Sequence, residues 1–274
     1  MISFTSKNIT YWISFPAYPI SLFVDHFILM KGQTADIEER IFPNNKTEMF
    51  FNLSDSVVGR PGHGTSSYQL KESVISGTRS SFFIFKTASS FSMAGLRFTL
   101  FGFNHLFRMP AYHFTDHHFN TKDVWGYEME WVREQLLESE NRNERFKVLN
   151  DWITTKISSA SLQDMVKWKQ IENKICQFNL RITPLLTKVV GYSHKHCIHL
   201  LKEKAGLAPK SIQKICRFEW VLQMIAKQEV IHWQDIVYRA GYADQSHLIR
   251  EFKYFTGFTP IEYMSARHKS LVFH

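Results

Sequence analysis

The stretch GYADQSHLIREFKYFTGFTP, Gly241 to Pro260, decides how the C-terminal third of this chain folds. The run before it, QDIVYRAG, reads as a short helix stopped at Gly241, and glycine suits the left-handed position that a sharp stop requires. Asp244 then stands as the N-cap of a second helix. From Gln245 to Phe255, Leu248, Phe252 and Phe255 recur at i, i+4 and i+7, which is one buried stripe. Ser246, Ile249, Arg250 and Lys253 fall on another face, with Gln245 and His247 at its N-terminal edge. Gly257 ends the helix and Pro260 starts the next, so the stretch reads as helix, tight turn, helix.

A rougher copy lies upstream in GYSHKHCIHLLKEKAGLAP, Gly191 to Pro209. Gly206–Leu207–Ala208–Pro209 matches Gly257–Phe258–Thr259–Pro260 at an offset of 51, and Lys202 matches Lys253 at the same offset. Gly191–Tyr192 matches Gly241–Tyr242 at an offset of 50, one extra residue, Ala243, accounting for the difference. Leu186 and Val190 correspond to Ile236 and Ala240, so the region holds two copies of one unit. In the first copy PLLTKVVG is the short helix and Ser193 the cap of the second. Cys197, Leu200 and Leu201 form its buried stripe, while His194, Lys195, Ile198, His199 and Lys202 face outward.

The two copies are joined by PKSIQKICRFEWVLQMIA, Pro209 to Ala226, a helix whose stripe of Ile212, Ile215, Leu222 and Ile225 is apolar except at Glu219. Eighteen residues at ~1.5 Å each span about 27 Å. Successive major-groove faces of a duplex lie about 34 Å apart. A spacer of this length sets both second helices on one side of a duplex. The outward faces carry the right chemistry, because arginine bonds guanine O6 and N7 together and glutamine pairs with adenine.

The segment IVYRAGYADQSHLIREFKYFTGFTPIEY closely resembles the signature of the AraC/XylS family of bacterial transcription regulators. The resemblance is carried by Ala240–Gly241–Tyr242, Ser246, Leu248, Arg250, Phe252–Lys253, Gly257, Thr259–Pro260 and Tyr263, and it covers about residues 178–268. The upstream copy departs from the pattern at His199, where the family commonly has arginine, and at Leu201, where it has phenylalanine. The resemblance implies a double helix-turn-helix domain over 178–274, reading one asymmetric site on double-stranded DNA, with RNA polymerase as a further partner. The residues expected on DNA are His194, Lys195, Ile198, His199, Lys202, Gln245, Ser246, His247, Arg250 and Lys253. The resemblance also implies an N-terminal sensing or dimerisation domain, frequently a cupin-like barrel.

Residues 1–160 are compatible with that. Short aromatic and β-branched runs, ITYWISF, SLFVDHFILM, EMFFNL, SFFIFK and GLRFTLFGF, alternate with turn signals and predict a strand-rich barrel or sandwich. Phenylalanines such as Phe50, Phe51, Phe82, Phe83, Phe85, Phe98, Phe101 and Phe103 read as sheet core, or in part as the lining of an apolar ligand pocket. Residues 123–138 and 144–157 predict a helical hairpin, packed on the barrel or offering Val124, Tyr127 and Trp131 to a second copy. Residues 161–177 read as a linker. The expected fold class is therefore α+β: a strand-rich domain with a hairpin, then an all-α domain.

Composition sets the outer limits. The net charge is +8, and residues 180–274 hold 14 Lys and Arg against 7 Asp and Glu, so nearly all the excess lies there, which favours a polyanionic partner. Three cysteines, Cys176, Cys197 and Cys216, without metal-type spacing argue for a reducing, cytoplasmic compartment. No apolar run approaches the ~20 residues that cross a bilayer. The segment HFTDHH offers His113, Asp116, His117 and His118 as metal ligands, while His63 stands alone, so a metal-binding cupin-like enzyme or sensor stays open beside an adaptor that has lost specific DNA binding. The sequence has neither a Gly-x-Ser-x-Gly elbow nor a P-loop, so no catalytic residue, metal or cofactor is assigned. The expected ligand is a small apolar or aromatic effector, with a homodimer as the other role for the strand-rich half.

Overall fold

The computed structural model describes residues 1–6, 9–33, 38–54, 57–61, 68–70, 72–86, 90–175, 184, 186–188, 191–227 and 231–268. His63, Cys176 and, within PLLTKVVG, Leu185, Val189 and Val190 lie outside them.

Two antiparallel sheets build the N-terminal half. The strands are β1 Ile2–Ser6, β2 Ile9–Ser14, β3 Val24–Gln33, β4 Glu38–Ile41, β5 Glu48–Asn52, β6 Val57–Pro61, β7 Tyr68–Leu70, β8 Ser73–Ser76, β9 Phe83–Lys86, β10 Ser90–Phe98 and β11 His118–Asn120. One sheet runs β1-β2-β3-β10-β5-β8-β11 and the other β4-β9-β6-β7. Their central strands are the aromatic runs, since β-branched and aromatic side chains fit a pleated, half-buried surface. Between the sheets Ile9, Tyr11, Val74, Phe83, Phe85, Phe91 and Met93 pack together. The expected strand GLRFTLFGF stops at Phe98, and helix α1, Gly102–Phe107, takes over, because the turn at Thr99 bonds back to Phe23 and Leu22.

The helices follow as α2 Thr121–Trp125, α3 Tyr127–Glu138, α4 Arg142–Lys156, α5 Ser159–Ile175, α6 His194–Ala205, α7 Pro209–Lys227, α8 Trp233–Ala240, α9 Gln245–Thr256 and α10 Pro260–His268. The single helix expected over 123–138 is broken at Gly126, whose φ is +64°. In the hairpin of α3 and α4, Met129, Val132, Leu136, Phe146, Leu149, Trp152 and Ile153 are buried on the sheets. Tyr127 and Trp131 remain exposed, whereas Val124 packs inward, so the three do not form one free stripe. The stretch expected as a linker, 161–177, is helical as far as Ile175. Met165, Trp168, Ile171 and Ile175 recur at steps of three and four and are buried, so this helix belongs to the core. That core continues from the sheets into α6 to α10.

Candidate nucleic-acid interface and the cavity beside it

Both second helices of the repeat are built the same way. Ser193 accepts a hydrogen bond from the His196 amide at the start of α6, and Asp244 accepts one from the His247 amide, 2.7 Å, at the start of α9. Each cap satisfies an orphan donor of the first turn. Both helices end on a glycine in the left-handed region, Gly206 at φ +84° and Gly257 at φ +78°. Cys197 and Leu201 seat α6, with Leu200 half-buried, and Leu248, Phe252 and Phe255 seat α9.

The outward faces divide unevenly. His194, Lys195, His199 and Lys202 are exposed on α6, and Gln245, Ser246, Arg250 and Lys253 on α9. Ile198 is half-buried. Ile249, read as a member of the outer face, is half-buried and packs against the core. His247 is also half-buried: its ring meets Tyr242 edge-on and its Nε2 lies 3.9 Å from Glu251.

Glu251 is the residue that sequence reasoning missed. It is 7% exposed and receives Arg217 of α7 through three hydrogen bonds of 2.7–3.0 Å, together with the Tyr242 hydroxyl at 2.9 Å. The Arg217 guanidinium lies 4.1 Å over the Tyr242 ring. Burial, and then the Glu251 charge, push the Tyr242 hydroxyl far above its ordinary value, so it stays a donor. A bidentate pair of this kind fixes orientation as well as distance, and here it ties α9 to the spacer helix. The position matching Glu251 in the first copy, at the offset of 51, is Leu200, so the first copy has no such tie. The signal available in the sequence is an acid beside the apolar stripe, three residues after Leu248.

The N-terminal half grips both helices at their C-terminal ends. Arg40 of β4 donates to the Thr256 carbonyl at 3.1 Å and lies 4.0 Å over the Phe258 ring. Thr115 donates to the Gly206 carbonyl at 2.8 Å. A Cβ built on Gly206 falls on Thr78 Oγ1 and lies 2.6 Å from Thr115 Oγ1, and one built on Gly257 falls on Arg40 Nη1. The two caps related by the repeat are thus held by two different parts of the same β domain.

Between the sheets lies a cavity of about 340 Å³. Ile28, Met30, Phe50, Phe83, Phe85 and Met93 are among its apolar lining, whereas Phe51, Phe98, Phe101 and Phe103 lie in the core proper. One side is α7, which contributes Glu219, Leu222, Gln223 and Ala226. The polar exception in the α7 stripe is therefore where that helix faces the cavity. On the opposite wall Glu48 is bound by Arg97 at 2.6–2.7 Å and by Arg79 at 3.1 Å. Burial raises the Glu48 carboxyl, but Arg97 and Arg79 outweigh it and hold the group down to about 2. His118 points into the same wall, and burial together with Arg79 lowers it to about 3, leaving a neutral imidazole.

The four ligands offered by HFTDHH are spread apart. His113 packs on Tyr112, Asp116 accepts from Ser80, His117 bonds the Thr115 carbonyl, and His118 alone reaches the cavity. Among the described residues no group of three His, Cys, Asp or Glu side chains is placed to hold a metal ion, and none of their helices is long and apolar enough to cross a membrane.

With this geometry in place the chain can be set beside known proteins. A domain family of unknown function matches residues 14–120, and a helix-turn-helix domain family matches residues 186–266. No curated protein matches. Among solved structures, ToxT from Vibrio cholerae O395 is similar at 14% identity, covering 86% of this chain and 95% of that one, with a TM-score of 0.43. ToxT from Vibrio cholerae strain SCE256, crystallised with an unsaturated fatty acid bound, is similar at 14% identity over 96% of each chain, also at 0.43. KdgF from Halomonas sp. is similar at 7% identity over 35% of this chain and 87% of that one, at 0.27. Likenesses at these scores say nothing of what either half binds. The repeat, its caps and the family match over 186–266 agree: this part of the chain is an AraC-type helix-turn-helix DNA-binding domain, and it follows an antiparallel β-sheet domain.

Proposed function

We propose that this regulator acts in a cytoplasm, binds double-stranded DNA through α6 and α9, and takes a small effector in the cavity of its β domain. The observation that carries the reading is the shared wall: α7 lines the cavity and also spaces the two DNA-facing helices. An occupant of the cavity touches the helix whose placement sets the distance between them. Gln245, Ser246 and Arg250 are assigned to base edges, with His247 contributing from its half-buried site. His194, Lys195, Ile198 and His199 serve the first half-site, and Lys202 and Lys253 the phosphates. RNA polymerase and a second copy of the chain are the protein partners this role calls for, and the units proposed are 1–160 and 178–274 with α5 packed between them.

Binding of labelled duplexes from the region upstream of the chain's own coding sequence tests the reading. Arg250→Ala is expected to cost about 1–3 kcal/mol on the specific site and little elsewhere. Lys253→Ala is expected to weaken all duplexes alike and to flatten the salt dependence by about one phosphate contact. Loss of neither quantity at any salt refutes the assignment of α9 and leaves a protein-interaction adaptor as the better description.

A further inference from the structure

The charges around the cavity form a ladder. Glu172 of α5 pairs with Lys46 at 3.3 Å, and Lys46 lies 3.8 Å from Asp25. Burial raises the Asp25 carboxyl, yet His26, Lys46 and Arg97 bring it down to about 2, so Arg97 stands between Asp25 and Glu48. Glu48 takes both Arg97 and Arg79. Glu172 also takes Lys169 at 3.0 Å, so three carboxylates, Glu172, Asp25 and Glu48, answer four cations, Lys46, Lys169, Arg97 and Arg79. The cations lining the cavity among the described residues are those two arginines, and both are committed to Glu48. Of the lining carboxylates, Glu48 is saturated by them, Glu39 accepts from the Tyr11 hydroxyl, and Glu219 on the α7 side is engaged as well. The imidazoles add no charge to spare, with His118 neutral and His26 bonded to Asp25 at 2.9 Å.

An ion of either sign entering here meets a like charge and a counter-charge already in use. A buried ion without a partner is costly, whereas an uncharged polar group needs only one or two hydrogen bonds. One donor is waiting: Arg79 Nε is buried without a hydrogen-bond partner beside Ser76 Oγ, which holds Arg79 Nη2 at 2.7 Å. The apolar remainder, Ile28, Met30, Phe50, Phe85 and Met93, suits a hydrocarbon or aromatic body.

We infer that the cavity selects an uncharged amphiphile, an apolar body carrying a hydroxyl, phenol or amide head directed at the Ser76–Arg79–Glu48 wall, in preference to a carboxylate or an amine of the same size. The inference rests on the cavity being an effector site. Its test uses the full chain and three probes of equal length, decanol, decanoate and decylamine, with binding read by calorimetry and native mass spectrometry at neutral pH. Decanol is expected to bind about tenfold more tightly than either ion, a difference of about 1.4 kcal/mol. Val74→Phe, which fills the cavity from β8, is expected to abolish that binding. Glu48→Gln removes the built-in counter-charge and is expected to reverse the order, so that decanoate outbinds decanol. A wild-type preference for decanoate or decylamine overturns the inference while leaving the effector site standing, and the wild-type series decides even where the Glu48 variant does not fold. Binding of none of the three, or binding that Val74→Phe leaves intact, overturns the effector site and the inference together.

Discussion

Alanine at Gly257 and alanine at Gly241 differ in one respect that the structure makes measurable. Both glycines end helices in the left-handed region, at φ +78° and φ +69°. A Cβ in that conformation costs about 1 kcal/mol. At Gly241, among the described residues, no atom beyond the adjoining backbone lies within 4 Å of the added carbon, so the cost stops there. At Gly257 the carbon falls on Arg40 Nη1 and lies 2.9 Å from Phe82 Cζ. Arg40 must then retreat from the Thr256 carbonyl and from the Phe258 ring. A charge-assisted hydrogen bond contributes about 1.5–3 kcal/mol, and a partly exposed cation–π contact about 0.5–1. Partial loss of both adds about 2 kcal/mol, giving about 3 kcal/mol at Gly257 against about 1 at Gly241. In a chain of this size each kcal/mol moves Tm by roughly 2–4 °C, so a thermal melt separates the two variants clearly. Repeating both changes in an Arg40→Ala background closes a double-mutant cycle, with a coupling of about 1 kcal/mol or more expected at Gly257 and none at Gly241. Equal Tm losses at the two glycines, or additivity within about 0.5 kcal/mol at Gly257, would refute the grip of the β domain on α9.

Glu251→Ala leaves the Arg217 guanidinium and the Tyr242 hydroxyl without their acceptor and is expected to cost about 3–5 kcal/mol in urea unfolding, an unchanged midpoint ruling out the tie between α9 and α7. Acid should weaken the fold from near pH 6.5 downward. The unfolded chain protonates its His118 at the ordinary value of about 6.5, while the folded chain holds it neutral to about 3, so stability is fully present above 6.5 and falls by about 1.4 kcal/mol per pH unit below it. Glu48 and Asp25, depressed to about 2, add their loss only below the ordinary carboxylate range, so His118→Phe should remove the first limb and keep the second, and an unchanged profile in that variant contradicts the assignment.

The repeat was the most legible part of the chain because each of its parts has a local cause. Ser193 and Asp244 cap within three residues, the left-handed glycines stop helices within one turn, and the stripe of Leu248, Phe252 and Phe255 follows from helical period alone. What stayed hidden depends on partners distant in sequence. Glu251 reads as a surface acid until Arg217, 34 residues away, is seen to fold onto it. Residues 161–177 read as a linker because their polar positions outnumber Met165, Trp168, Ile171 and Ile175, and the surface that buries those four comes from segments distant in sequence, α1 and the Ile20–Leu22 turn among them. His118 looked like one of four clustered ligands, whereas strand pairing with β8 turned it away from its neighbours and into the wall. Glu219 broke an apolar stripe for a reason that lies in the cavity.

The path from cavity to DNA face narrows to one short segment. Between Glu39 and Glu48, the residues Glu39, Ile41, Phe42, Pro43, Asn44 and Glu48 line the cavity. Those between them turn outward to the helices. Arg40 holds the end of α9, and Asn45 donates to the Ile212 carbonyl of α7 at 3.1 Å and to Cys216 Sγ at 3.4 Å. Lys46 pairs with Glu172 of α5, and Phe42 itself meets Phe218 of α7 and Tyr263 of α10. Close-packed interiors transmit displacement because their side chains have few alternative positions. A ligand that pushes on the inner residues of this segment therefore acts on the outer ones through the same backbone, and the segment as a whole holds α5, α7, α9 and α10. On the proposed reading, an effector signal has a direct physical route through residues 39–48 and α7, and the two converge at Phe42, Asn45 and Phe218.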